Sequence, residues 1–220
     1  MPLEQLPGLA EAAFEKMDPS PDADFYSFPR FVAHIDDRAI AAVTQIYRER
    51  LPPAGKVLDL MSSWVSHLPD DVTYTSVVGH GMNQEELAAN PRLSQWFIQD
   101  LNIDPQLPLK DDHFDGACLC VSVQYLQRPV DVFRDVRRVL RPGAPFIVTI
   151  SNRCFPTKAV AIWQSLHGAD QQRLVAAYMQ RAGFSAIAGN ASLPLDGDPL
   201  WARCRLNSGR SGHKPTCSKA

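Results

Sequence analysis

The stretch Lys56–His67, KVLDLMSSWVSH, constrains this chain more than any other. Val57, Leu58 and Leu60 make a short apolar run directly after a Pro-Pro-Ala-Gly turn. The run closes around Asp59 and gives way to the small polar residues Ser62 and Ser63. This pattern fits a buried parallel strand that turns sharply toward a helix. In open α/β sheets, ligands bind outside the carboxyl ends of the strands, where strand order reverses. A first strand ending in Asp and small residues is therefore the expected floor of a pocket.

The rest of the chain alternates in the same way. Residues 1–24 carry four prolines among acidic residues and read as a mobile arm with one short helix at 8–17. In 25–36, FYSFPRFVAHID, four aromatics interleave with Arg30 and His34; Phe28 and Phe31 are expected to pack the lead helix onto the sheet. Asp36 or Asp37 can cap a helix that runs to about Leu51 and is stopped by Pro52 and Pro53. After the first strand, only one or two helical turns fit before Thr73–Gly79, a β-branched second strand. Asn83 begins a helix to Asn90, with Glu85 and Glu86 in its favourable first turn. Trp96–Ile98 is a short third strand leading to Asp100, and Gly116–Val121 a fourth. A helix over Val130–Leu140 and the turn Arg141-Pro142-Gly143 lead into a fifth strand, Pro145–Ile150. Residues 156–182 read as helix broken at Gly168, and Phe184–Ala188 with Leu200–Leu206 as a closing antiparallel pair. The alternation predicts a doubly wound, mainly parallel sheet. The Gly/Ser/Lys-rich residues 207–220 read as a disordered tail.

Composition narrows the function classes. A chain of 220 residues suits one domain with a substantial core. Its net charge of −2 gives no electrostatic reason to expect a nucleic acid or an anionic membrane as partner. No apolar run approaches the roughly 20 residues of a membrane span. Five cysteines without CxxC spacing suit a reducing compartment: the cytoplasm, or an organellar stroma or matrix. Histidines 34, 67, 80 and 113 never pair at metal-ligand spacing, so no metal is expected. GxGxxG and GxSxG sequences are both missing, against a dinucleotide site and a nucleophile elbow. Nothing in the pattern sets an oligomeric state.

Five segments carry a family resemblance: VLDLMSS (57–63), VVGHGMNQEEL (77–87), QDLN (99–102), LPLKDDHFDGACLCVSVQYL (107–126) and VLRPGAPFIVTISN (139–152). In these the chain resembles the class I S-adenosylmethionine-dependent methyltransferases, type 11-like. The resemblance implies a Rossmann-like seven-stranded α/β sheet with an antiparallel C-terminal strand pair over 36–206. It makes 1–35 an N-terminal arm and lid, with Phe25, Tyr26 and Arg30 as its candidate residues. It also implies S-adenosylmethionine as cofactor and a small-molecule acceptor as substrate.

Residue by residue, the resemblance puts Asp59, Met61, Ser62 and Ser63 around the donor's amino-acid end. There Ser62, Ser63 and a helix N-terminus would serve its carboxylate. Gly79, Gly81, Met82 and Asn83 fall beside the ribose and adenine, and Asp100 and Leu101 at the adenine amine. Cys120 and Ser122 fall at the fourth strand's exit, with Gln124 and Tyr125 as the catalytic pair facing the sulfonium.

Two departures stand out. Met61, Ser62, Ser63 and Trp64 replace a Gly-rich turn, and Gly81 stands where an acidic residue usually takes both ribose hydroxyls. On that basis Asn83 or the Met82 backbone is the expected substitute ligand, and Gly81→Asp is expected to tighten donor binding. Methyl transfer to a small acceptor is the leading reading. A non-catalytic methyltransferase-like binding protein is its rival, and a Rossmann-type oxidoreductase a weaker third.

Overall fold

The computed structural model describes residues 6–192 and 200–206, with side chains described through residue 185. The tail expected at 207–220 lies outside the described residues.

Seven strands form one sheet: β1 (Lys56–Leu60), β2 (Ser76–Gly81), β3 (Gln95–Ile98), β4 (Gly116–Cys120), β5 (Pro145–Ser151), β6 (Ser185–Ser192) and β7 (Leu200–Leu206). Their order is β3-β2-β1-β4-β5-β7-β6. The first five run parallel; β7 lies antiparallel to both β5 and β6. The architecture is therefore α/β and Rossmann-like, with the order reversing between β1 and β4.

Adjacent residues of a strand point to opposite faces, so β1 serves two cores at once. Val57 joins Cys118 and Ile147 under helix α2 (Asp37–Arg50). Leu58 and Leu60 join Leu119, Phe146 and Phe133 on the other face. The helices are α1 (Asp22–Phe25), α2 (Asp37–Arg50), α3 (Gln84–Ala89), α4 (Pro129–Val139), α5 (Ala161–Ser165) and α6 (Ala169–Arg181). Asp36 caps α2 through its Oδ1, which accepts from the Ala39 N–H at 2.8 Å. Pro129 starts α4, where its missing N–H costs nothing. Gly168, with φ 48°, separates α5 from α6.

Three local expectations are corrected. Residues 61–75 contain no helix at all, so the chain crosses from β1 to β2 as an extended loop. Phe28 is 78 % exposed and Phe31 half exposed, so neither packs a helix onto the sheet. The arm, finally, is not loose. A 3-10 turn at Glu11–Phe14 buries Phe14 in the main core, and the Glu15 carbonyl accepts from the Ala161 N–H at 2.9 Å.

A buried ion cluster fixes the arm further. Lys158 is 0 % exposed; its Nζ lies 3.0 Å from Asp18 Oδ2 and 3.5 Å from Asp22 Oδ1, and donates to the Ser20 carbonyl at 2.7 Å. Lys16 is also bonded to Asp22. Removing the Lys158 side chain would leave Asp22 with Lys16 alone, take the cation from Asp18, and empty the space of a fully buried side chain. Lys158→Ala should therefore lower unfolding stability by about 3 kcal/mol or more in a denaturant titration. A loss below about 1 kcal/mol, the level of an exposed pair, would mean that the cluster does not hold the arm.

Candidate functional site

A cavity of about 290 Å³ opens at the carboxyl ends of β1 to β4, the position the strand order assigns to a ligand. That volume stands at the lower edge of the usual range for ligand pockets, roughly 300–1,000 Å³. Asp59, Met61, Ser62 and Ser63 line it from β1 and its exit; Gly81, Met82 and Asn83 from the end of β2. Asp100 and Leu101 follow β3; Cys120, Ser122 and Tyr125 follow β4. Gly79 and Gln124 do not line it.

The β1 exit is held by one histidine. His80, at the end of β2, is 2 % exposed. Its Nδ1 accepts from the Met61 N–H at 3.2 Å, which leaves the ring proton on Nε2 to donate to the Gln99 carbonyl at 2.9 Å. Its own carbonyl accepts from the Ser62 N–H at 2.6 Å. One residue thus ties the exits of β1, β2 and β3. Met61 takes up φ 55° to reach it, a left-handed conformation uncommon for a residue with a Cβ. Burial pushes the His80 imidazole down to about 4, so it is neutral at pH 7.

Below the turn lies a polar hub. Ser62 Oγ donates to Asp59 Oδ2 at 2.6 Å, and Cys118 Sγ approaches Asp59 Oδ1 at 3.5 Å. Asn90 Nδ2 donates to the Ser63 carbonyl at 2.8 Å and to Ser66 Oγ at 2.9 Å. Burial raises the Asp59 carboxyl to about 6, opposed by the hydrogen bonds from Ser62, Ser66 and Cys118.

Several expected ligands are already engaged. Gly79 is a packing residue: a Cβ there would run into the Leu93 side chain. At Gly81, a Cβ would lie 2.6 Å from the Ser62 backbone oxygen and 3.1 Å from Leu87 Cδ2. Gly81 is thus needed so that the β1 turn can close on β2. Asn83 Oδ1 accepts from the Glu86 N–H at 3.0 Å and so caps α3, while its Nδ2 donates to the Tyr26 carbonyl at 2.9 Å. Both ends of the expected ribose substitute therefore hold protein. Gln124 is 1 % exposed, and its Nε2 donates to the Val121 carbonyl at 2.9 Å and the Arg153 carbonyl at 3.4 Å. It braces the β4 exit, where the β-branched Val121 stands at φ 46°. Because β1 is followed by no helix, no helix N-terminus serves the Ser62–Ser63 turn.

Glu86 is a residue that sequence reasoning missed. It is 8 % exposed and lines the cavity from the first turn of α3. Its Oε1 accepts from the Arg30 N–H at 2.7 Å, and its other oxygen has no partner among the described residues. Burial raises its carboxyl above the ordinary value. Helix capping explains an acid at this position equally well, which is why the pattern alone did not separate it. Asp100 similarly uses Oδ1 for the Asn102 N–H at 2.9 Å and leaves Oδ2 without a partner among the described residues.

The far wall comes from the arm and from the loop after β5. Tyr26, Arg30, His34 and Phe155 line it. The Arg30 guanidinium stands 4.5 Å from the centre of the Phe25 ring and 5.6 Å from that of Phe155. Tyr125 stacks on Phe155 at 5.9 Å, and its hydroxyl accepts from the Phe155 N–H at 2.9 Å. Burial pushes that phenol up to about 12. His34 and His67, on different segments, both reach the cavity, and burial lowers both below their ordinary value.

Two outcomes follow. Gly81→Ala should destabilise the fold by about 1–3 kcal/mol, the cost of overpacking, and Gly81→Asp should likewise fail to tighten ligand binding. Chemical denaturation and calorimetry on the two variants check this.

The second concerns pH. Folded His80 stays neutral down to about 4, whereas its ordinary value is 6.5, so acidification across that window favours unfolding. Asp59 opposes it: the fold binds its proton near 6 against an ordinary 3.8, so the same acidification favours the fold. Asp59→Asn deletes the opposing contribution. Its unfolding free energy should fall more steeply from pH 6 to pH 4 than that of the unmodified chain, read as denaturant midpoints along a pH series.

Comparison with known proteins agrees with this geometry. Residues 61–148 match a family model described as a methyltransferase domain. No curated protein matches the chain. Among solved structures, a chain of the complex formed by the Trm112 methyltransferase activator of Haloferax volcanii is similar. It has a TM-score of 0.59 and 14 % identity over 79 % of this chain and 92 % of that one. Phosphoethanolamine N-methyltransferase 2 of Haemonchus contortus, in complex with S-adenosyl-L-methionine, has a TM-score of 0.57 and 10 % identity. That match covers 79 % of this chain and 53 % of that one. An S-adenosylmethionine dependent methyltransferase of Mesorhizobium loti has a TM-score of 0.52 and 17 % identity, over 74 % of this chain and 96 % of that one. At such identities the structures speak for the fold alone. Residues 61–148 thus resemble a methyltransferase domain, and the chain shares the α/β, Rossmann-like fold of S-adenosylmethionine-dependent methyltransferases.

Proposed function

We propose that the protein transfers a methyl group from S-adenosylmethionine to a small-molecule acceptor. The observation that carries this reading is the two-sided cavity at the switch point: Met82, Glu86, Asp100 and Leu101 on one side, aromatic and basic residues of the arm on the other. On the first side Asp100 accepts from the adenine amine, Met82 covers the ring and Glu86 takes the ribose hydroxyls. Residues 22–35 act as the lid: Asn83 holds the Tyr26 carbonyl, Glu86 the Arg30 N–H, and Asn102 Nδ2 reaches Asp22 Oδ2 at 3.0 Å. S-adenosylmethionine, when bound, supplies the methyl group. The chain's part is orientation and exclusion of water.

The residues fit the nucleoside half of the donor. At the amino-acid half, the turn donors Met61 N–H, Ser62 N–H and Ser62 Oγ are already bonded within the protein. This favours a second reading, a non-catalytic binding protein with the methyltransferase fold, because fold alone does not fix activity.

Incubation of methyl-labelled donor with cell extract separates the two. Under the enzyme reading, label enters the small-molecule fraction only when the protein is present. Absence of protein-dependent label, with S-adenosylhomocysteine still bound in calorimetry, would leave the binding-protein reading. Tyr125 acts as a positioning residue, since its hydroxyl fixes Phe155 at the acceptor wall. Tyr125→Phe should slow transfer about tenfold, on the scale of one lost hydrogen bond, while product affinity changes less than about twofold. Equal losses in both would instead put Tyr125 on the donor.

A further inference from the structure

Resting on the methyl-transfer reading above, we infer that the acceptor carries an oxyanion, a carboxylate or a phosphate, which Arg30, His34 and His67 hold at the arm wall of the cavity.

The charges that line the cavity are sorted by wall. Asp59, Glu86 and Asp100 come from β1, the start of α3 and the exit of β3, and Asp22 is committed to Lys16 and Lys158. Arg30, His34 and Arg153 come from the arm and the loop after β5, and His67 from the loop after β1. Phe155 draws the arm's two groups together. The Arg30 guanidinium lies 5.6 Å from the centre of its ring, and the His34 ring meets it edge-on at 5.2 Å. His34 is in turn close enough to His67 to act on its charge, as Arg30 acts on His34. Val32, Ile35 and Val65 line the same cavity, and apolar surroundings strengthen an ion pair formed there.

These groups have hydrogen bonds to give. The Arg30 guanidinium donates to the Phe25 carbonyl at 2.9 Å and the Phe28 carbonyl at 3.3 Å and has further N–H groups beyond these. Glu86 bonds the Arg30 backbone N–H, and no carboxylate among the described residues pairs with the guanidinium. The ring nitrogens of His34 and His67 have no hydrogen-bond partner among the described residues either. His80 is the contrast, with both ring nitrogens spent on the protein. His67 also stands at φ 53°, a left-handed conformation that costs a residue with a Cβ free energy, and Thr44 Oγ1 donates to its carbonyl at 3.0 Å. Such strain is retained where a side chain has a task, and the described fold makes no hydrogen bond to this ring. Burial lowers both imidazoles, so each is neutral at pH 7 and keeps one N–H to donate. A nearby oxyanion favours the protonated ring and works against that shift. Burial raises the other cavity groups that could compete, the Tyr26 and Tyr125 phenols and the Cys120 and Cys154 thiols, so these stay neutral. Asp59, raised to about 6, is occupied by Ser62.

The test is ring-proton NMR of the histidines in the full chain at pH 7. Sodium acetate and inorganic phosphate are titrated in, against sodium chloride at matched ionic strength. The His34 and His67 signals should move together and saturate, with half-points on the order of millimolar. Their titration midpoints should rise by about half a pH unit or more. His113, which does not line the cavity, should not respond. The oxyanion with the lower half-point identifies the acceptor's group as carboxylate or phosphate. His67→Asn removes the imidazole and suits the left-handed backbone. It should keep the denaturant midpoint and raise the half-point read at His34 about tenfold. A half-point within about twofold of the unmodified chain would overturn the inference, as would movement equal to that in chloride or shared by His113. Calorimetry with S-adenosylhomocysteine separates this outcome from the donor reading. Product binding without an oxyanion response keeps the donor reading and removes the inference. An oxyanion response without product binding keeps the oxyanion site and removes the donor reading.

Discussion

Three hydrogen bonds of His80 govern the ligand side of this molecule. Parallel strands end in loops whose backbone groups no longer pair with a neighbouring strand, and a buried loop must find partners elsewhere. His80 supplies a ring acceptor to the Met61 N–H, a carbonyl to the Ser62 N–H and a ring donor to the Gln99 carbonyl. The arrangement requires a neutral imidazole with its proton on Nε2, and burial enforces neutrality. It also requires the bare Cα of Gly81, because the Ser62 carbonyl occupies that space. Histidine followed by glycine is thus one device, and the shape of the cavity floor depends on it.

The rest of the site is layered on this floor by polar side chains that each bridge two segments. Asn83 caps α3 and holds the arm at Tyr26. Asn102 reaches Asp22, the Tyr125 carbonyl and the Gln127 N–H. Lys158 ties the arm to the loop after β5 from within the protein. Such networks are costly to satisfy in part and rigid when satisfied throughout. A rigid enclosure suits chemistry in which the cofactor carries the reactive group and the protein's task is orientation.

The same networks account for the tension at the amino-acid end of the cavity. The Met61 and Ser62 N–H groups and Ser62 Oγ are used to fold the β1 turn itself. The resulting site has open acceptors at one end, while at the other the Met61 and Ser62 donors are engaged and the Ser63 N–H and hydroxyl have no protein partner among the described residues. Selectivity for a ligand follows from such differences in unmet hydrogen bonding more than from apolar contact area.

Periodicity and punctuation were enough to set most of the strand and helix alternation and the position of the cavity at the carboxyl ends of β1 to β4; it was the family resemblance that singled out Asp59, Asp100, Ser122 and Tyr125, all of which line that cavity. These are local or topological properties: a run of Val and Leu reads as a buried strand whatever surrounds it. The roles of Gly79, Gly81, Asn83 and Gln124 were decided only by tertiary structure, because each depends on a partner distant in sequence. Gly79 faces Leu93, Gly81 faces Ser62, Asn83 faces Tyr26, and Gln124 faces Arg153. The helix expected after β1 failed for the same reason. The chain leaving β1 instead turns onto β2, with the Met61 and Ser62 N–H groups bonded to His80, 19 residues from Met61. Glu86 shows the converse, since an acid in a helix's first turn is ordinary in sequence. Only burial beside Arg30, with one oxygen left open, distinguishes it in space.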